Sequence, residues 1–125
     1  MQRLPEFPQD AVFQYMSSNR EGDWRGFRVM GDGRLLRTSR QGQWEEDTPL
    51  DQARFDAVMA AVAAADLPAG ATRFGSPPVP DDATGWALHA RRQDGVAELG
   101  GLGCRPASID ALIAEIAPRL TPPSP

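Results

Sequence analysis

Residues 48–67, TPLDQARFDAVMAAVAAADL, decide how the rest of the chain is read. Thr48 offers a hydroxyl to a first-turn N–H, and Pro49 gives up no hydrogen bond at a first helical position, so the reading starts a helix here. Asp51 adds negative charge where the helix dipole favours it. At 100° per residue Phe55, Val58, Met59 and Val62 fall in one arc, the mark of a helix lying on a core. Burying each of the four is worth roughly 1.5–3 kcal/mol. Leu67-Pro68-Ala69-Gly70 supplies the stop. On the outer side of this helix the expectation places Ala57, Ala60, Ala61 and Ala64.

Working back toward the start, residues 34–39 (RLLRTS) and 24–30 (WRGFRVM) alternate as strands joined by the tight reversal Gly31-Asp32-Gly33. Residues 12–18 (VFQYMSS) form a third β-rich run, with either Phe13 and Tyr15 or Val12 and Met16 turned inward. Residues 1–10 hold two prolines and no alternation; they read as a lead-in arm with Phe7 pinned to the core. Gln41-Gly42 turns the chain before Trp44. Working forward, residues 68–84 carry four prolines and read as a long loop. Residues 85–92 (GWALHARR) and 96–99 form a second hairpin about Gln93-Asp94-Gly95. A second helix begins near Pro106, carries Ile109, Leu112, Ile113 and Ile116 on one face, and stops at Pro118. Residues 119–125 read as a disordered tail.

The order is βββ-α-ββ-α. It predicts an α+β domain over residues 11–118: a five-stranded antiparallel sheet with both helices packed on one face. Phe27, Val29, Trp86 and Leu88 face the helices, leaving the other face open and rich in arginine. The expected core joins Phe27, Trp86 and Leu88 to Phe55, Val58, Met59, Val62, Ile109, Leu112, Ile113 and Ile116.

Composition narrows the functional classes. The 125 residues suit one domain that buries about two-thirds of its unfolded surface. All 13 basic residues are arginine, a bias that codon usage in a GC-rich genome explains, and the net charge is −4. That balance argues against nucleic acid and anionic membrane as general partners, although Arg20, Arg25, Arg28, Arg34, Arg37 and Arg40 concentrate ahead of the first helix. The single cysteine, Cys104, excludes an intrachain disulfide and every cysteine-based zinc motif. No apolar leader and no membrane-length run occur, so the expected location is cytoplasmic.

Chemistry-bearing constellations are sparse. His89, the sole histidine, alternates opposite to Leu88 and reads as a solvated strand residue. Glu45, Glu46, Asp47 and Asp51 straddle a helix start, where negative charge is favoured for structural reasons. Asp81-Asp82 reads as a solvated loop pair. Gly100-Gly101-Leu102-Gly103 lacks the lysine and hydroxyl of a phosphate loop. A thiol hydrolase built on Cys104 and His89 is the enzymatic alternative; no catalytic residue, cofactor or metal site is expected. Trp24 and Trp44 lie at strand ends beside Arg25 and Arg40, and this pairing of aromatic area with donors is the composition of interaction hot spots. These four are the expected protein-binding residues.

From residue 24 to residue 118 the order of signals resembles small bacterial domains of no assigned activity. The resemblance rests on the Gly31-Asp32-Gly33 hairpin, the Ala65-Asp66-Leu67-Pro68 helix end, Asp81-Asp82, the strand at 85–92 and the Pro106-x-x-Ile109-x-x-Leu112-Ile113 helix. The same tail-end pattern is similar to emfourin, a cytoplasmic bacterial inhibitor of thermolysin-like metalloproteases. That resemblance implies protein–protein binding without catalysis and assigns no inhibitory residue here. The chain departs from it by an extra N-terminal strand and arm.

Overall fold

Alternating side chains and glycine-rich reversals generate the first half of the fold, seen in a computed structural model that describes residues 6–18, 23–65, 67, 70–74, 85–93, 95–102 and 105–120. Strand β1 (Ala11–Ser18) pairs antiparallel with β2 (Trp24–Met30), which returns through the Gly31-Asp32-Gly33 turn to β3 (Leu35–Thr38). Gly33 sits at φ +92°, a region that disfavours side chains with a Cβ, and its N–H donates to the Met30 carbonyl to close the reversal. A second turn at Gly42 (φ +81°) leads into β4 (Trp44–Glu46). Helix α1 (Gln52–Ala64) follows, then β5 (Gly70–Phe74), the hairpin of β6 (Gly85–Arg92) with β7 (Gly95–Leu102), and helix α2 (Ala107–Ile116). A single 3-10 turn, Ala117–Leu120, ends the described chain.

The class is α+β with one mainly antiparallel sheet, and the strand number exceeds the expected five. The sheet order is β4-β3-β2-β1-β6-β7-β5. Six strands run antiparallel to their neighbours, and β5 adds a seventh at the edge, parallel to β7. Two strands were therefore missed. β4 is only three residues long, and β5 lies inside the stretch expected to be loop. Residues 75–84 of that stretch lie outside the described residues.

Phe13 and Tyr15 of β1, opposite Val29 and Phe27 of β2, project from one face, with Leu35, Trp86, Leu88, Ala90, Ala97 and Leu99. Val58, Ala61 and Val62 of α1 and Ile109, Leu112 and Ile116 of α2 close over them as one core. Both helices thus lie on the same face. Phe55 and Ile113 pack at its margin. Met59 is only half-buried and outside the cluster, whereas Ala61, expected on the outer side, takes an inward position. The helix is packed about one residue round from the arc its larger side chains suggested. Ala61 lines the groove between α1 and α2, beside Leu112.

The start of α1 also moved. Asp51, not Thr48, is the N-cap: its carboxylate accepts from Arg54 N at 2.8 Å and from Arg54 Nε at 2.9 Å. Leu50 is buried in the core and its N–H donates to Gly33 O at 2.9 Å, so residues 48–50 serve as a strap between β4 and the helix. That tertiary bond overrides the Thr-Pro start signal. At the other end α1 stops at Ala64, and Arg92 of β6 donates to the carbonyls of Ala65 and Ala63, tying the helix end to the sheet. Leu120, two residues beyond the expected domain boundary, is 1% exposed in the core. The remainder of the expected tail, residues 121–125, lies outside the described residues.

Two predictions follow from this packing. Leu112→Ala, at the side of the core next to α1, is expected to cost about 2 kcal/mol in chemical denaturation, the low end for a buried leucine. A loss under about 0.5 kcal/mol would remove Leu112 from the core. The second concerns pH. Backbone N–H donors of Arg34, Thr48 and Arg54 are the main cause holding the carboxyls of Asp32, Asp47 and Asp51 below their ordinary values. A lowered folded value means the stabilisation is complete above the unfolded pKa of about 3.9 and is lost as pH falls through the folded values. The melting temperature should therefore drop below about pH 4, and Asp51→Asn should reduce that acid-dependent drop. An unchanged drop would show that the Asp51 cap is not the group being titrated.

Candidate functional site

The face of the sheet away from the helices is not open. Gln14, Met16, Ser18, Arg28, Met30, Ala87 and His89 alternate outward from the core and are nevertheless buried. Residues 6–10 cross this face and cover part of it. Gln14 Nε2 donates to the Glu6 carbonyl at 2.9 Å, and Arg28 Nη2 donates to the same oxygen at 3.1 Å. Arg28 Nε donates to Gln14 Oε1 at 2.6 Å. Arg91 donates to Pro8 O and Ala11 O, and Phe7 stacks on His89 with ring centroids 5.1 Å apart and planes 16° apart. The expected solvated His89 is 3% exposed. Polar side chains can be buried here because main-chain oxygens of the arm meet their donors.

Beside the arm, the same face opens into a pocket lined by Glu6, Pro8, Met16, Asp23, Trp24, Arg25, Arg28, Gln41, Gly42 and Trp44. Strand register explains the convergence. Gly26 of β2 is opposite Met16 of β1 and is held to Thr38 of β3, whose hydroxyl accepts from Gly26 N at 3.0 Å. Thr38 is in turn opposite Trp44 of β4. Trp24 and Trp44 are half-buried. The structure thus brings together three of the four expected contact residues, Trp24, Arg25 and Trp44. Arg40 contributes its carbonyl, which accepts from Arg25 Nη2, while its exposed side chain is not part of the lining.

The cations around the pocket are committed. Arg25 Nη1 donates to Trp24 O at 2.9 Å. Arg28 is 8% exposed, with its guanidinium carbon 4.0 Å from the centre of the Trp44 ring. Burial pulls the Arg28 guanidinium below its ordinary value, against the opposing pull of Glu6 and Asp10, and it stays charged at physiological pH. Arg34 pairs with Asp32 and lies near Glu46 and Asp10, while Arg37 pairs with Asp47. Arg20 lies outside the described residues. The arginine concentration is therefore largely an internal ion-pair and carbonyl-binding system, which weakens the case for a phosphate-binding face.

Arg28, Met16 and the arm residues Glu6 and Pro8 were missed. Their signal was present in the outward row of β1 and β2, where Met16 and Met30 are apolar residues that a solvated face would not require. The acidic cluster resolves into structure: Asp47 accepts from Thr48 N, Asp51 caps α1, and Glu46 lies 3.5 Å from Arg34. Among the described residues no group of three or more histidine, cysteine or acidic side chains could hold a metal. Cys104 and Asp81-Asp82 lie outside the described residues, so no Cys104–His89 pairing is placed. Among the described residues no helix is long and apolar enough to cross a membrane. No protein-family model, curated protein or solved structure matches the chain.

Proposed function

We propose that the chain is a non-catalytic module that binds another protein at the Trp24–Trp44 pocket. One observation carries this reading. Two half-buried tryptophans border an open pocket whose neighbouring arginines are already fixed by internal partners. Rigid aromatic area with pre-organised surroundings loses little freedom on association, which is the physical basis of an interface hot spot. Locked arginines also leave few donors to build a small-anion site. His89 stacks on Phe7 and is not among the residues lining the pocket.

The test is capture from native lysate with the chain as bait, compared with its Trp24→Ala/Trp44→Ala double variant. A protein bound by the first and reduced about tenfold with the second, a loss of about 1.4 kcal/mol, is the expected result. An unchanged capture profile rejects the pocket. The resemblance to emfourin supplies one concrete partner class, and thermolysin-like metalloproteases are the enzymes to assay. No inhibition at micromolar chain rejects that partner while leaving the pocket open to another.

A further inference from the structure

Where β1 begins and β6 ends, the last turns of α1 border a second pocket, of about 700 Å³. Its apolar lining is Val12, Met59, Val62 and Ala63, and Arg91 and Arg92 of β6 join them. We propose that this pocket binds a small amphipathic anion, an alkyl chain carrying one anionic head. The head meets Arg91 and Arg92, and the chain lies against Met59 and Val62. This site is separate from the Trp24–Trp44 pocket and goes beyond the protein-binding role.

Three features support it. The first is charge. The tryptophan pocket sets Glu6 and Asp23 against Arg25 and Arg28, whereas among the described residues no acid lines this one. Arg34, Arg37, Arg54 and Arg105 each pair with a carboxylate. Arg91 and Arg92 donate only to main-chain carbonyls, which satisfy an N–H without cancelling the charge. Two positive charges therefore remain at one pocket, in a chain whose net charge is −4.

The second is placement. Arg91 Nε donates to Ala11 O at 2.9 Å and its Nη2 to Pro8 O at 3.1 Å. Arg92 Nη1 donates to Ala65 O at 2.8 Å and its Nη2 to Ala63 O at 3.4 Å. These bonds hold both side chains and leave Arg91 Nη1 and Arg92 Nε without a protein acceptor among the described residues. Donors already held in place lose little freedom when an anion arrives. The third is the apolar wall. Met59 is half-buried and outside the core, and its flexible thioether chain adapts to an alkyl guest. The volume falls in the range of small-molecule sites. A bare inorganic anion would leave that wall wet, and a neutral alkyl chain would leave the guanidinium groups unmatched. One molecule carrying both parts meets the whole lining.

The probe is octanoate, titrated into the full chain by calorimetry and followed by the carbon-13 methyl resonance of Met59. Saturable one-to-one binding that shifts this resonance is the expected result. Octan-1-ol, which lacks the charge, and hexanoate, two methylenes shorter, should each bind about tenfold more weakly. Octyl phosphate beside octanoate tells a phosphate head from a carboxylate, and binding of either that shifts Met59 upholds the site. Met59→Glu puts a like charge into the pocket at a position outside the core, and should weaken octanoate about tenfold or more. Arg92→Gln should do the same when its circular dichroism matches wild type; Met59→Glu carries the test when it does not. No binding of octanoate or octyl phosphate at millimolar concentration would overturn the proposal. So would octan-1-ol binding as tightly as octanoate, or unchanged affinity in Met59→Glu. Sedimentation with phosphatidylglycerol vesicles, without binding of the monomeric anions, would also overturn it, in favour of a membrane surface.

Discussion

Gly26→Ala is expected to cost more than about 4 kcal/mol or to prevent folding outright. Gly26 of β2 lies directly against the β1 backbone: a Cβ added there would lie 2.0 Å from the Tyr15 carbonyl oxygen and 2.7 Å from Met16 Cα. Both obstacles are backbone, so no rotamer change relieves them. The strands would have to separate, and β1 is the central strand, bonded to β2 on one side and β6 on the other. Moving it disturbs Phe13 and Tyr15 in the core and Gln14 and Met16 on the second face. Gly31→Ala is the control, because its added Cβ would lie 3.3 Å from the Asp10 carbonyl oxygen and 3.8 Å from Val12 Cγ1, neither of them an overlap like that at Gly26. That variant should lose about 1 kcal/mol or less. Denaturant titration of the two proteins decides the matter: a Gly26→Ala chain that folds with a loss under about 1 kcal/mol would contradict the strand spacing described here.

Arg28→Met should be the next most damaging change, costing about 2–4 kcal/mol. Methionine replaces much of the stem but none of the donors. It leaves the buried Gln14 Oε1 without the Arg28 donor, and Glu6 O loses one of its two donors. Hydrogen bonds from a charged group are worth about 1.5–3 kcal/mol each, and an orphaned buried acceptor costs a further 1–3 kcal/mol or so, offset in part by release of the buried charge. The cation–aromatic contact with Trp44 goes as well. A second reading separates this from ordinary core damage. Hydrogen exchange at residues 6–10 should accelerate in Arg28→Met more than in Leu112→Ala, because only the former lets go of the arm. Equal acceleration in both would show that Arg28 does not hold it.

Much of the fold was legible because it is written in local signals. Alternation at Phe27-Arg28-Val29, the Gly31-Asp32-Gly33 reversal and the spacing of Ile109, Leu112 and Ile116 each specify an element without knowledge of the rest. What escaped depends on distant partners. β5 lies in a stretch punctuated by Pro68, Gly75 and Pro77, and its identity as a strand comes from parallel pairing with β7, which follows it in the chain. The shift of the helix cap to Asp51 depends on Leu50 bonding to Gly33 across the fold. The second face misled for a related reason. Gln14, Arg28 and His89 look solvated from composition, yet two of them find acceptors in an arm whose proline-interrupted sequence has no periodicity. Trp24 and Trp44, far apart in sequence, converge through strand register, and the turn at Gly42 brings Arg40 O to Arg25.

The central place of β1 has a consequence for how the chain emerges during synthesis. β1, β2, β3 and β4 can zip together as soon as residues 11–46 are available, each beside its neighbour in sequence. The other edge of β1 must wait for β6, about 70 residues later, or some seconds at ordinary translation rates. During that interval a nascent chain displays an unpaired strand edge with Phe13 and Tyr15 uncovered, the kind of surface that recruits chaperones or neighbouring chains. Ribosome-bound intermediates stalled between α1 and β6 should therefore be the aggregation-prone species; release of β6 pairs the free edge of β1, and α2 completes the cover over Phe13 and Tyr15.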